Sequence, residues 1–158
     1  MALIDSSLTD LVKNINRQAQ VPFSLSELVF SPVFPDGERA DMVRIRLTIT
    51  GVSEYRGTAV VGYHRLDLAT LENLLYRVPC FYPGADSLYK ILTTLANHMG
   101  IRLDESDVED AIVIETEGSF RVQLTAKPGS YRWYGSYLLR FNDLPRLSGI
   151  IDHDHITW

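Results

Sequence analysis

The stretch SFRVQLTAKPGSYRWYGSYLLRF, residues 119–141, contains two segments of alternating residue types on either side of the sequence KPGS. Pro128 presets φ at the second position of a turn, and Gly129 supplies the positive φ that a type II turn needs at its third position. The residues that share one face of the two segments are mainly apolar: Phe120, Val122 and Leu124, then Tyr131, Trp133, Tyr137, Leu139 and Phe141. Because side chains alternate between the two faces of a strand, this stretch predicts an antiparallel β-hairpin with one face in the core.

The other face of this predicted hairpin carries arginine and aromatic side chains. Arg121 is expected to lie across from Arg132, Tyr134 or Arg140. Arg and Tyr are enriched in protein interfaces and among the residues that dominate binding energy. We therefore interpret this face as a candidate surface for docking another protein.

A second hairpin is predicted upstream of the first. In MVRIRLTIT, residues 42–50, every second residue from Val43 to Ile49 is apolar, which indicates a half-buried strand. GTAVVGYHRL, residues 57–66, supplies its antiparallel partner.

Helices are predicted where apolar residues recur at helical spacing. They span about residues 6–18, 67–75 and 87–100; Asp67 caps the second, and Gly100 ends the third. SDVE, residues 106–109, fits a capping box for one further helical turn, and the strand sequence AIVIET follows it.

The two ends of the chain differ from this regular centre. Three prolines between residues 21 and 41 indicate an extended arm, whose Phe30 and Phe34 are interface candidates together with Trp158 in the C-terminal tail. The predicted fold class is α+β: a single domain of antiparallel β-hairpins packed against two or three helices. Its parts are an N-terminal helix and extended arm (1–41), an α+β core domain (42–147) and a C-terminal tail (148–158).

The composition limits the classes of partner. The net charge of −5 argues against nucleic acid, because neutralising phosphates takes clustered Lys and Arg. No apolar run approaches the ~20 residues that span a bilayer, so no membrane association is expected. Twelve of the fifteen basic residues are Arg, which favours either a protein interface or a coding bias toward Arg.

Two segments raise the question of a metal. In DHDH, His153 and His155 fall on one side of an extended chain, but a zinc site needs further ligands, and nothing places His64 or His98 beside them. LDESDVEDA, residues 103–111, has Glu109 where a calcium-binding EF-hand loop needs glycine. Catalytic sequence motifs are absent, and the lone Cys80 is interpreted as a packed thiol. We therefore predict no catalytic residue, metal or cofactor, and interpret the C-terminal tail as a means of fastening the chain end.

Three stretches together resemble virion structural proteins of large-genome tailed bacteriophages: GYHRLDLATLENLL (62–75), LTTLANHMGIRLDESDVEDAIV (92–113) and VQLTAKPGSYRWYGSYLLRF (122–141). In those proteins a strand ending R-L-D-L precedes a helix, and a D-V-x-D segment precedes an L-T-A hairpin. The resemblance covers roughly residues 57–141 and consists of structural residues.

This resemblance implies a non-enzymatic structural subunit of the virion, made in the host cytoplasm and located in the tail or baseplate in preference to the capsid. Its partners would be other virion structural proteins, including copies of itself. Two alternatives stay open: an intracellular phage protein that binds a host factor, and a small metal-dependent hydrolase that uses the C-terminal histidines.

Overall fold

The computed structural model describes residues 7–50, 54–74, 83–100 and 102–143, and it has the predicted α+β fold. The described α-helices are α1 (Ser7–Ala19), α2 (Leu71–Leu74) and α3 (Leu88–Met99). Short 3-10 helices occupy Leu25–Glu27 and Leu68–Thr70. The described strands are β1 (Leu28–Phe30), β2 (Phe34–Pro35), β3 (Met42–Ile49), β4 (Thr58–His64), β5 (Leu66–Asp67), β6 (Ile114–Thr116), β7 (Ser119–Thr125), β8 (Trp133–Tyr134) and β9 (Ser136–Asn142).

The N-terminal sheet is built around β3. The predicted hairpin of β3 and β4 is confirmed, with Ile45 opposite Val61 in the antiparallel register. The segment predicted to be an extended arm lies along the other edge of β3, where β1 and β2 pair with it in succession. Pro32 and Pro35 lack the N–H groups that a continuous strand would use, so the arm pairs in two short pieces at the sheet edge.

The C-terminal sheet has the order β6-β7-β9. Its hairpin turns at KPGS as predicted, since the Ser130 N–H donates to the Lys127 carbonyl oxygen over 3.0 Å. The prediction of a type II turn is wrong, because φ at Gly129 lies outside the positive range that this turn requires. The second arm of the hairpin begins only at Ser136, which pairs with Thr125.

The two sheets meet at a short parallel pair of strands, β5 and β8. Arg65, just before β5, binds backbone on two other loops through its guanidinium. It donates to the carbonyl oxygens of Ala40 at 2.7 Å, Pro128 at 3.0 Å and Ser130 at 3.2 Å. The Leu66 N–H also donates to the Arg132 carbonyl oxygen over 2.6 Å. Residues 65–67 therefore join the N-terminal sheet to the hairpin of the C-terminal sheet.

The principal core lies between α3 and the inner face of the C-terminal sheet. Its buried members are Leu68, Leu71, Leu88, Ile91, Leu92, Leu95, Met99, Leu103, Val108, Phe120, Val122, Leu124, Trp133, Leu139 and Phe141. The predicted apolar face of the hairpin is confirmed as core, with Tyr137 partly buried against it, except at Tyr131, which lies outside this core and donates its hydroxyl to the Ser31 carbonyl oxygen at 2.9 Å. Helix α3 ends as predicted at Gly100, whose φ of 70° is one that glycine adopts without strain.

The prediction of a helical turn at SDVE is wrong. The chain makes a single turn in which the Asp107 N–H donates to the Asp104 carbonyl oxygen over 2.9 Å, and Val108 then forms a β-bridge with Ala126. The capping pattern fails here because the Asp107 side chain is drawn into the interior, where it accepts other hydrogen bonds. No helix in the described part of the chain is long and apolar enough to cross a membrane.

Candidate protein-binding surface

The outward face of the C-terminal sheet brings two of the predicted interface residues together. Arg121 on β7 and Arg140 on β9 are direct partners in the antiparallel register, and Ile114 on β6 pairs with Arg121 from the other side. All three side chains are exposed, as is Leu138 on the same face. We call the surface formed by Ile114, Arg121, Leu138 and Arg140 the arginine face.

Charge on the arginine face is unbalanced. Neither Arg121 nor Arg140 forms an ion pair within the described residues, and the other outward positions of β6, β7 and β9 carry hydroxyl, amide or apolar side chains. Like charges directly opposite each other on two strands destabilise the pair. The face therefore presents two adjacent guanidinium groups and exposed aliphatic side chains to the surroundings.

Arg132 and Tyr134, also predicted for this face, lie elsewhere. The Arg132 side chain is only 9% exposed; it forms an ion pair with Asp10 of α1 and lies over the Trp133 ring, 6.0 Å from its centroid. Tyr134 pairs with Asp67 in the parallel ladder of β8 and β5. Both residues leave the hairpin because the chain between the KPGS turn and β9 departs from β7 to pair with β5 instead.

The predicted N-terminal interface residues have different surroundings. Phe30 packs edge to face on Tyr131, with ring centroids 6.2 Å apart, and so belongs to the contact between the two halves. Phe34 is 36% exposed and sits opposite Arg44, whose guanidinium forms an ion pair with Asp36 at 2.9 Å. Trp158 lies outside the described residues.

Among the described residues, a surface cluster of Arg39, Asp41 and His64 contains an oriented histidine. Asp41 accepts from Arg39 at 2.7 Å and contacts His64 Nδ1 at 3.0 Å, and these hydrogen bonds, led by that from Arg39, lower the pKa of Asp41 to about 2. The same contact raises the pKa of Arg39. Nucleophilic catalysis would also need a hydroxyl or thiol within hydrogen-bond reach of the histidine, whereas in the described residues the His64 ring contacts the Asp41 carboxylate.

Metal-binding groups do not converge in the described part of the chain, where no three His, Cys, Asp or Glu residues form a cluster that could hold an ion. Cys80, His153 and His155 lie outside the described residues, so the interpretations of these three residues stay predictions from the sequence.

Comparison with known protein families gives a match that covers nearly the whole chain. The sequence profile of a family of unknown function, DUF7941, matches residues 3–157. The chain belongs to the DUF7941 family. No curated protein and no solved structure is significantly similar to it.

One buried acidic group in the described part of this DUF7941 chain was not predicted from the sequence. Asp107 is 2% exposed, and its carboxylate accepts from the hydroxyls of Ser7 at 2.9 Å and Ser130 at 2.7 Å. It joins the start of α1 to the KPGS turn, which gives it a structural role. The sequence signal for its burial was its position between the apolar residues Leu103 and Val108, in a segment whose capping pattern predicted a helical turn.

Two exposed acidic residues of the DUF7941 chain lie on either side of the buried Asp107. Glu105 and Glu109 are exposed and form no ion pair within the described residues. The neighbouring acids are engaged: Asp104 pairs with Arg102 at 3.1 Å, and Asp110 accepts from Ser87 at 2.7 Å. We call the surface formed by Glu105 and Glu109 the acidic turn.

Proposed function

We propose that this protein is a non-enzymatic structural subunit of a tailed-bacteriophage particle, in the tail or baseplate in preference to the capsid. Its work is to bind neighbouring protein chains. The observation that carries this proposal is the arginine face, where two arginines with no ion-pair partner among the described residues occupy opposite positions on paired strands, beside exposed aliphatic residues.

The composition of the arginine face favours a protein partner. Ile114 is 46% exposed and Leu138 is 37% exposed, and burying such side chains contributes roughly 25 cal/mol for each Å² of apolar surface removed from water. A guanidinium group offers a planar array of donors that matches a carboxylate. A partner that supplies carboxylates and apolar surface would therefore relieve the charge repulsion and bury the aliphatic groups together.

The N-terminal sheet supports the same function. Val29 and Val60 are each 53% exposed on its strands, and β4 pairs with no strand other than β3 within the described residues. A strand edge with free N–H and C=O groups can pair with another chain. The place of the protein in a virion is supported by the resemblance of residues 62–75, 92–113 and 122–141 to virion structural proteins.

Quantitative mass spectrometry of purified phage particles tests this proposal. Isotope-labelled peptides of this chain and of the major capsid protein would be measured through successive steps of gradient purification. We expect a constant ratio of the two, as for a subunit of fixed copy number, while a soluble phage enzyme followed as control declines at each step. The proposal fails if the chain is abundant in infected cells and declines together with that control.

A further inference from the structure

We propose that the arginine face binds the acidic turn of a second copy of this chain, so that identical subunits associate head to tail. This inference rests on the proposed function as an assembly subunit and names one partner of that subunit, a second copy of the same chain. Its two halves are both described surfaces of the same molecule, the pair Arg121 and Arg140 and the pair Glu105 and Glu109.

The basic half is preorganised by the sheet. Seven successive register pairs join β7 to β9, and Arg121 and Arg140 form the third of them. Facing strands hold the Cβ atoms of such a pair about 5 Å apart, so both guanidinium groups can reach one acidic segment. Carboxylate oxygens placed between them would replace the mutual repulsion with charge-assisted hydrogen bonds.

The acidic half is held in place by the core beneath it. Leu103 and Val108 are buried, and the Tyr89 hydroxyl donates to the carbonyl oxygens of Glu105 at 3.3 Å and Val108 at 2.9 Å. Lys127 lies close enough for both acids to contribute to raising its pKa, after the larger effect of its hydrogen bond with Tyr89. Two carboxylates against one ammonium group leave this surface negative.

The two surfaces do not pair with each other within one molecule: in the described residues neither arginine of the arginine face forms an ion pair with Glu105 or Glu109. The Glu109 N–H donates to the Thr125 carbonyl oxygen, four residues beyond Arg121 along β7, so the two backbone positions are about 13 Å apart at the rise of a β-strand. The proposed contact is therefore intermolecular. Because it joins two different patches, it is a heterologous contact, which generates a ring when the rotation closes and an open chain when it does not.

The overall charge and the flanking residues favour a second copy over nucleic acid. The chain carries 20 acidic and 15 basic residues, which disfavours approach to a polyanion but not contact between patches of opposite charge. The exposed Ile114 and Leu138 beside the arginines suit a protein surface rather than a phosphate backbone.

Sedimentation equilibrium of the full-length protein, with two charge-reversed double variants, tests the inference. We expect the wild type to associate with concentration and to dissociate as NaCl is raised. The variant Arg121→Glu with Arg140→Glu, and the variant Glu105→Arg with Glu109→Arg, should each weaken association at least about tenfold, as expected for lost charge pairs. An equimolar mixture of the two variants should associate again, because each then supplies the charge that the other lacks.

A matched variant controls for net charge. Arg46 and Arg56 are exposed and form no ion pair in the described regions, so Arg46→Glu with Arg56→Glu makes the same change in charge away from the arginine face. It should associate like the wild type. If circular dichroism shows that a charge-reversed variant is unfolded, the neutral pairs Arg121→Gln with Arg140→Gln and Glu105→Gln with Glu109→Gln replace it.

Three results would overturn the inference: a wild type that is monomeric at every concentration, a mixture of variants that does not associate, or association that nuclease treatment abolishes. A monomeric protein that still copurifies with particles at a constant ratio would remove self-association and leave the proposed function standing.

Discussion

At the scale of single residues, Gly135 sets the path of the chain between the KPGS turn and β9. Its φ is +78°, and a Cβ atom built on it would lie 2.5 Å from Asp67 Oδ1. That carboxylate accepts from the Ala69 N–H at 3.0 Å and caps the 3-10 helix that follows β5. The close approach of Gly135 to Asp67 therefore permits both the pairing of β8 with β5 and the cap.

Substitution of Gly135 by alanine should destabilise the protein by about 2–3 kcal/mol, since it combines a strained positive φ with displacement of a helix cap. Gly129→Ala is the matched control, because φ there is not positive and no atom lies within 4 Å of the new Cβ. That variant should unfold within about 0.5 kcal/mol of the wild type, or be slightly more stable. Urea denaturation measures both, and equal free energies of unfolding for the two variants would contradict the account of Gly135.

At the scale of elements, the start of α3 is stabilised by a residue beyond its far end. The Ser87 side chain makes no capping hydrogen bond to the helix. Instead Asp110 accepts from the Tyr89 N–H at 3.0 Å and from the Ser87 hydroxyl at 2.7 Å. A carboxylate is favourable at this position because the free N–H groups of a helix N-terminus carry partial positive charge.

Replacement of Asp110 by asparagine should lower stability at neutral pH, and the deficit should shrink in acid. The hydrogen bond from Ser87, followed by that from Tyr89, holds the pKa of Asp110 below its ordinary value of 3.8 in the folded protein. The ionised form therefore stabilises the fold above the unfolded-state pKa, and this contribution disappears as pH falls through the folded-state pKa.

Thermal denaturation from pH 7 downward measures this difference between wild type and variant. Glu117→Gln is the control, because Glu117 is exposed in the turn before β7 and accepts no hydrogen bond or ion pair within the described residues. A difference for Asp110→Asn that stays constant from pH 7 to below the folded-state pKa would refute the capping role.

At the scale of the whole molecule, some buried residues lie outside the principal core. The principal core of α3 and the C-terminal sheet does not include the buried Val43, Ile45 and Leu47 of β3. Arg65 donates to backbone in both the loop before β3 and the KPGS turn, and burial lowers its pKa. The cooperativity of folding should therefore depend on this joint.

Removal of the Arg65 guanidinium should allow the N-terminal sheet to open independently. In Arg65→Ala, hydrogen exchange should become faster in β3 and β4, with a loss of about 2–3 kcal/mol of protection, the usual effect of losing hydrogen bonds from a charged donor. Amides of α3 should lose less. Arg56→Ala, at an exposed position, should leave both sheets as in the wild type. Equal loss of protection in α3 and β3 of Arg65→Ala would show that the molecule opens only as one unit.

Much of the local structure could be predicted from the sequence. Alternation placed Phe120, Val122 and Leu124 in the core, and a glycine at residue 100 marked the end of α3, because these signals depend on neighbours in the chain. The candidate surface was predicted in part: Arg121 and Arg140 share a face because strand periodicity dictates it.

Other features depended on residues far apart in sequence, and only the tertiary structure decided them. Arg132 follows the same alternation as Arg140 but turns inward to Asp10 of α1. The Asp107 carboxylate is buried because Ser7, 100 residues away, and Ser130 supply its hydrogen bonds. The sequence by itself determined which side chains share a strand or a helix face, since that follows from backbone geometry. The tertiary structure decided which charged side chains stay exposed to water, because a buried charge is stable only where hydrogen bonds from its neighbours replace its hydration.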